Sequence, residues 1–336
     1  MQGLFPYIMR RLLWAPVILL AVSFIAFTIT RFGPGDPVSV AQGQYRDPEA
    51  LARVRHAKGL DKPFLEQYGI YLKNLAHGDL GESFRYKNTP VSEIIFRRMW
   101  VSAQFGLVAL VIVFGLGIPV GLYAALRQGS WTDPLSISIF LFFQSIPVLV
   151  TVPIMLLVFV LKLHWLPASG LASGSQCAVN IGFLPDPLNC IHIFDKRIIM
   201  PVLALSLPGI AGVARLTRAT TLGVLGEDYV RTARAKGLRE FTVIRRHVAR
   251  NALLPLITVV GISLVALLEG AFFVETLLGI PGVGQLAFDS VRGRDYDVIM
   301  ALTLIVAVAF ILVNIVIDIV YTIIDPRVRY ERQRVR

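Results

Sequence analysis

The sequence predicts an all-α, polytopic membrane protein with six transmembrane helices, and three observations support this class. Of the 336 residues, 55% are hydrophobic and only 16% are charged, a balance that is unusual for a soluble globular domain. The apolar residues are gathered into blocks close to the length of about 20 residues that a helix needs to cross hydrocarbon. The Lys and Arg residues, which give a net charge of +11, collect between particular blocks.

Each predicted span has the length and apolarity of a membrane helix. The first is too long for the core of a signal peptide, so it is expected to be retained. The fourth is the weakest, because its apolar part ends at Ala214 and is followed by Arg215 and Arg218, one turn apart. The six spans cover residues 12–30, 101–126, 135–161, 198–224, 253–277 and 298–324.

The distribution of basic residues predicts that both termini are cytoplasmic. An even number of spans puts the termini on one side of the membrane. Lys and Arg are concentrated in both tails, after the second span and after the fourth span. We therefore attribute the positive charge to topology in the cell (inner or plasma) membrane and expect no nucleic-acid partner.

Four regions follow from this topology. Residues 1–31 are the N-terminal tail and first span, 32–100 an extracytoplasmic cap, 101–324 the permeation core, and 325–336 a basic cytoplasmic tail. In the cap, helices are expected over 48–58 and 63–76, with stops at Gly59 and near Gly78. In the second span, Gly117 and Gly121 form a G-x-x-x-G pair, which favours close helix packing.

The most informative segment is the cytoplasmic loop 225–255. Glu227 and Asp228 suit a helix N-terminus, Gly237 suits a helix stop, and a second short helix is expected over 239–249. A loop that only joins two spans needs few residues, whereas this one is long, ordered and strongly basic. Such a helix–turn–helix is typical of a docking site for another protein, and the alternative is a basic stretch that rests on anionic lipid.

Short motifs accompany this loop along the whole chain. They are Gly35-Asp36-Pro37, Gly59-Leu60-Asp61-Lys62-Pro63, Gln67-Tyr68, His77-Gly78-Asp79-Leu80-Gly81, Leu166-Pro167-Ala168-Ser169-Gly170, Arg215-Leu216-Thr217-Arg218, Arg250-Asn251-Ala252-Leu253-Leu254-Pro255, Glu275-Thr276, Arg294-Asp295-Tyr296, Asn314, Asp318 and Asp325-Pro326-Arg327. In this order they resemble the dipeptide and oligopeptide branch of binding-protein-dependent ABC importer permeases, and the loop resembles the "EAA" coupling loop of that family. Arg231-Thr232-Ala233 replaces the general Glu-Ala-Ala, and Pro255 lies later than usual; both features resemble the peptide branch.

The resemblance implies a type I ABC importer permease fold whose coupling loop sits in a groove of a cytoplasmic ATPase. It also implies a second homologous permease subunit, two ATPase subunits that use ATP and Mg, and an extracytoplasmic solute-binding protein. Ala233, Ala235, Gly237 and Leu238 would pack closely against the ATPase, and Arg234, Lys236 and Arg246 would make polar contacts. The complete set that the resemblance assigns to the coupling loop is Glu227, Arg231, Ala233, Arg234, Ala235, Lys236, Gly237, Leu238, Arg246, Asn251 and Pro255.

Polar residues within the spans are candidates for the translocation pathway. Glu269 and Phe273 lie in the predicted fifth span, and Asn314 and Asp318 lie four residues apart on one face of the sixth. The carboxylates and the amide either line a polar cavity or make interhelical hydrogen bonds and caps. Interhelical hydrogen bonding or capping is the favoured role of Asp318. For Glu269 the polar cavity and interhelical hydrogen bonding are favoured equally.

The cysteines and the absence of several sequence motifs narrow the possible functions of the chain. Cys177 and Cys190 either form a disulfide or are two unrelated thiols, in a segment longer than the resemblance predicts. There is no phosphate-binding Gly-rich loop ending in Gly-Lys-Ser/Thr, so the chain is expected to bind no ATP or other cofactor itself. No metal-ligand spacing and no G-x-S-x-G motif occur, which disfavours a metal site and a membrane-embedded enzyme. A secondary transporter or channel is the main alternative to an ATP-driven importer permease.

Overall fold

The fold was analysed in a computed structural model, which describes residues 4–33, 49, 53, 55–56, 59–86, 89–130, 138–139, 142, 144–167, 195–269 and 271–324. These residues form helices, with one isolated antiparallel bridge between Glu82 and Pro90. The helices are α1 (Leu4–Phe32), α2 (Phe64–Ala76), α3 (Val91–Leu126), α4 (Val148–Lys162), α5 (Ile199–Leu225), α6 (Asp228–Ala235), α7 (Glu240–Ala252), α8 (Leu254–Glu269), α9 (Phe272–Leu278), α10 (Val283–Gly293) and α11 (Tyr296–Ile324).

Helices long and apolar enough to span a membrane agree with most of the predicted spans. In the described part of the chain there are four, within α1, α3, α5 and α11, and the bent pair α7 and α8 makes up to five. The predicted third span is represented by the shorter α4, whose second half, Leu156–Lys162, is a π-helix. The all-α, multi-span class is therefore confirmed, and the number of six remains a prediction.

The boundaries of two helices differ from the prediction. Helix α3 has 36 residues because it begins at Val91, where Val91 and Ile95 are buried against α10 and α11. The predicted fifth span, 253–277, is broken: α8 ends at Glu269, Ala271 has a non-helical backbone, and α9 starts at Phe272. Because long apolar runs flank Glu269 and Gly270 on both sides, the average hydropathy of the segment did not reveal the break.

The largest helix interface joins α3 and α5, and glycines make it possible. A Cβ atom on Gly117 would lie 2.8 Å from the Val213 side chain, and one on Gly121 would lie 2.3 Å from the Ala214 carbonyl oxygen. Gly209 of α5 faces Val113 of α3 just as closely. The predicted packing role of the Gly117 and Gly121 pair is confirmed, since larger residues would force the backbones apart.

The region 32–100, which was predicted to be a cap, contains the expected helix over 63–76. Helix α2 follows Pro63, and Gly59 and Gly78 on either side have φ values of +63° and +79°, which glycine adopts without strain. Its aromatic side chains pack on α1: the Phe64 ring lies 5.4 Å from that of Phe27. The predicted helix over 48–58 lies largely outside the described residues.

Candidate functional site

Helices α6 and α7 form the helix–turn–helix predicted for the cytoplasmic loop. Glu227 precedes α6 in an extended conformation, and Asp228 lies in its first turn, where a carboxylate interacts favourably with the helix dipole. Helix α6 ends through hydrogen bonds from Gly237 N to Arg234 O at 2.9 Å and from Leu238 N to Ala233 O at 3.4 Å. Gly237 has a φ of +74°, so the reversal between the helices depends on a residue that tolerates the left-handed region.

A small apolar core holds α6 and α7 together and joins them to the end of α5. Val230 and Ala233 of α6 are buried against Val243 and Val248 of α7. The half-buried Val224 and Leu225, at the end of α5, complete this cluster. The elbow formed by α6 and α7 is therefore packed directly against the end of a spanning helix.

An ion pair closes the elbow at the turn. Arg234 Nη2 donates to Glu240 Oε1 at 2.7 Å, and Arg234 Nε donates to Glu240 Oε2 at 3.2 Å. These hydrogen bonds lower the pKa of Glu240 and raise that of Arg234. Arg234, expected from the resemblance to contact a partner, is thus engaged within its own chain.

The other predicted coupling residues are distributed over several surfaces. Ala233 faces the small core, whereas Ala235, Lys236 and Leu238 are exposed around the turn. Arg231 and Pro255 are also exposed, and Asn251 Nδ2 donates to the Tyr229 hydroxyl at 2.8 Å. Arg246 lines a surface groove of about 430 Å³ together with Phe241, Thr242, Arg245 and Arg250. The elbow therefore presents exposed small and basic residues at its tip and along α7.

The elbow continues into helix α8 through a bend. Helices α7 and α8 meet at Leu253 with an angle of 49°, just before Pro255, which has no backbone N–H to continue the helical pattern. Tyr321 of α11 lies at this bend: its hydroxyl donates to Leu254 O at 3.1 Å and lies 2.8 Å from Thr258 Oγ1. The Tyr321 hydroxyl thus connects α11 to the junction between the elbow and α8.

The predicted pathway residues do not form one cluster. Asp318 forms an ion pair with Arg11, which joins α11 to α1, and Asn314 Nδ2 donates to its own helix at Phe310 O. Phe273 of α9 is exposed, and Glu269 is the last residue of α8. The contacts of Asp318 agree with the interhelical reading. Cys177 and Cys190 lie outside the described residues.

A buried carboxylate that sequence reasoning did not single out as a site is Glu275 of α9. Its side chain is 0% exposed and accepts from Ser102 Oγ at 2.8 Å, Ala271 N at 3.0 Å and Gln285 N at 3.0 Å. A Cβ atom on Gly282 would lie 2.4 Å from this carboxylate, so the turn must contain glycine there. The signal available in the sequence was one acidic residue between an apolar run and a Gly-rich turn.

Asp295 has the same role at the other end of α10. It is buried, accepts a hydrogen bond from Ser83 Oγ, and accepts from the backbone N–H groups of Phe84 at 3.2 Å and Arg85 at 3.3 Å. Two buried carboxylates therefore tie the ends of α10 to α3 and to the segment before α3. Buried charges of this kind are stable only when hydrogen-bonded, which explains the convergence of donors on each.

An apolar helical bundle with a basic elbow between the spanning helix α5 and the apolar helix α8 defines a multi-span membrane protein. The chain belongs to the family described as binding-protein-dependent transport system inner membrane component, whose model matches residues 117–330. A second model, for the N-terminal part of these membrane components, matches residues 4–104. The protein is accordingly a multi-pass inner membrane component of a transport system.

Relatives with described roles match over almost their whole length. The dipeptide transport system permease protein DppB of Alkalihalophilus pseudofirmus is 35% identical, with 96% of this chain and 99% of that protein covered. The oligopeptide transport system permease protein OppB of Escherichia coli K12 has the same identity and coverage.

Among solved structures, an inward-facing methionine ABC transporter, MetNI, is similar in fold. Its matching chain superposes with a TM-score of 0.51 at 16% identity, covering 69% of this chain and 96% of that one. At this identity the likeness shows the fold alone, which is that of an ABC importer permease.

Proposed function

We propose that this chain is one permease half of an ATP-driven importer and that the elbow formed by α6 and α7 couples it to cytoplasmic ATPase subunits. The observation that carries the proposal is the packing of Val230, Ala233, Val243 and Val248 onto the end of α5, with α7 leading directly into α8. A rigid element attached to two spanning helices can transmit a displacement from a bound partner to the membrane bundle.

The partners and energy source follow from this role. A second homologous permease subunit completes the pathway, two ATPase subunits bind ATP and Mg, and an extracytoplasmic solute-binding protein delivers the solute. This chain binds no cofactor and breaks no bond; it supplies pathway walls and a lever in an alternating-access cycle. Both termini and the elbow lie on the cytoplasmic side, consistent with the basic residues in these regions.

Peptides are the proposed solutes. The relatives that match this chain over nearly its whole length are named as dipeptide and oligopeptide permeases. Asn314, Asp318, Phe273 and Glu269 remain the candidate pathway residues, and a bond between Cys177 and Cys190 remains a proposal for the segment before α5. A secondary transporter or channel is the alternative, and it would move solute without ATPase subunits.

Reconstitution tests the proposal. The complete transporter is placed in proteoliposomes, and ATP-dependent uptake of labelled di- and tripeptides is compared for the wild type and Gly237→Asp. We expect loss of most uptake and of peptide-stimulated ATPase activity, because an Asp side chain at φ +74° strains the turn and adds negative charge at the tip.

Gly223→Ala is the matched control. Gly223 lies in α5 near the elbow, has no positive φ, and has open space where a Cβ would stand, so transport should be unchanged. Full uptake by the chain without ATPase subunits would contradict the proposal and support a secondary transporter. Full uptake and ATPase stimulation by Gly237→Asp would instead show that the elbow is not the mechanical link.

A further inference from the structure

Helix α2 lies beside the membrane-spanning part of α1 rather than beyond its end. The Tyr68 hydroxyl is 2.8 Å from Ser23 Oγ and donates to the carbonyl oxygen of Leu20 at 3.2 Å. Leu20 lies about 18 Å below Phe32, at a rise of 1.5 Å per residue, in the apolar segment Met9–Phe32. The Tyr68 hydroxyl therefore contacts α1 within its apolar segment rather than at the end of that segment.

Aromatic contacts fix the depth of the helix itself. The Tyr68 ring lies 5.3 Å from the rings of both Phe24 and Phe27. Phe64, one turn earlier, lies 5.3 Å from Phe32 at the end of α1. Because Phe24 and Phe27 are about 12 and 8 Å along α1 from Phe32, α2 crosses α1 within the last two to three turns of its apolar segment rather than beyond it.

The apolar face of α2 is wider than the part that α1 covers. Tyr68 and Phe64 occupy the centre of the contact, and Leu65 and Leu72, seven residues apart, flank it on one side. Leu65 is 72% exposed, and no residue of α2 is fully buried. Glu66 and Lys73, also seven residues apart, lie on the side opposite the contact with α1, together with the partly exposed Ile70, and Lys62 Nζ donates to Glu66 at 2.8 Å.

We infer that α2 is an interfacial helix that inserts Leu65 and Leu72 into the lipid leaflet at the Phe32 end of α1. The Phe32 ring, which lies 5.3 Å from that of Phe64, belongs with Ile25 and Ile29 to the exposed apolar surface of α1, and Leu65 follows Phe64 directly. A helix with one apolar and one charged face lies in the plane of the membrane with the apolar face buried about 5–10 Å into the headgroup and acyl boundary.

This arrangement changes the role of the region before α3. A soluble cap would stand in water and move independently of the bilayer, whereas the interfacial helix anchors α1 and the following segment at a defined depth. Tyr68 satisfies its hydroxyl on Ser23 and Leu20 of α1, as a tyrosine hydroxyl within an apolar contact requires. The lipid surface is therefore the partner of the free face of α2.

Site-directed spin labelling in bilayers tests this inference. The full chain, with Cys177→Ser and Cys190→Ser, carries one label at a time at Leu65→Cys, Leu72→Cys, Glu66→Cys or Lys73→Cys. In nanodiscs, labels at 65 and 72 should collide preferentially with oxygen, which concentrates in hydrocarbon. Labels at 66 and 73 should collide preferentially with a water-soluble nickel chelate, with accessibility ratios differing at least about 5-fold between the two faces.

Each alternative has its own signature. Equal preference for the nickel chelate at all four positions would show a helix surrounded by water and would overturn the inference. An immobile label at position 65 that neither reagent reaches would show that a protein partner covers the face, which would also overturn it. If a label at the half-buried Leu72 perturbs packing, the label at position 65 decides the test, because Leu65 is already at the surface. None of these outcomes depends on ATPase coupling.

Discussion

The guanidinium group of Arg234 binds the carboxylate of Glu240 through two hydrogen bonds that span the turn at Gly237. This two-pronged pairing holds the end of α6 against the beginning of α7 and adds a polar constraint to the apolar core beneath. Both side chains are about half exposed, so the pair contributes little free energy but fixes the angle of the elbow.

Charge reversal tests the geometric role of this pair. Arg234→Glu should reduce transport several-fold, because it sets two carboxylates against each other across the turn, and Glu240→Arg should act similarly. The double variant Arg234→Glu with Glu240→Arg should recover at least half of the lost activity. No recovery, with normal amounts of folded protein, would mean that Arg234 acts mainly on a partner.

The same pair predicts a pH dependence of stability. Hydrogen bonding from Arg234 lowers the pKa of Glu240 in the folded state, so the stabilisation is fully present above the ordinary glutamate pKa of about 4.3. It is lost as the pH falls through the lowered folded-state pKa. Glu240→Gln should thus lower the melting temperature slightly at pH 7, and this difference should shrink as the pH falls below the ordinary glutamate pKa of about 4.3. A difference that grew on acidification would contradict the assignment.

Glu275 should be the most sensitive acidic residue for folding. Glu275→Ala removes the acceptor of one hydroxyl and two backbone N–H groups, all buried, and should cost about 3 kcal/mol or more. Glu275→Gln should cost less but remain destabilising, because one amide nitrogen would face a donor. Thermal unfolding in detergent measures both, and Glu93→Gln, which breaks an exposed pair with Arg97, is the control expected within about 0.5 kcal/mol.

Gly121 and Gly115 offer a matched pair of substitutions on one helix. Gly121→Ala places a Cβ 2.3 Å from a backbone carbonyl of α5 and should destabilise the bundle by about 1–3 kcal/mol. Gly115→Ala meets nothing within 4 Å and should be neutral or stabilising, since alanine favours helix. Equal melting temperatures for the two variants would show that α3 and α5 do not pack as described.

Tyr321→Phe should weaken the brace between the elbow and its span. The change removes the hydroxyl that contacts Leu254 O and Thr258, at about 1 kcal/mol for each lost hydrogen bond. We expect ATPase activity to be retained while the peptide transported per ATP falls. Tyr123→Phe changes an exposed tyrosine on α3 and is the control. If the two variants transport the same amount of peptide per ATP, the Tyr321 hydroxyl has no role in coupling.

The sequence by itself determined the helical class, most of the spans, the elbow and its turn. These features depend on local properties: blocks of apolar residues of membrane length, acidic residues at a helix start, and a glycine where the chain must adopt positive φ. The close packing of Gly121 also follows from a pattern in a single helix, once a partner helix is supplied, whereas the start of α3 at Val91 does not. Family membership was readable because its motifs are short and collinear.

Only the tertiary structure decided which polar groups meet. Ser102, which binds Glu275, and Ser83, which binds Asp295, lie far away in the chain from those carboxylates, as do Arg11 from Asp318 and Leu254 from Tyr321. The break between α8 and α9 interrupts an apolar run, and the depth of α2 depends on ring contacts with another helix. Hydropathy and propensity describe one segment at a time, whereas burial and hydrogen bonding of a side chain depend on what the fold brings beside it.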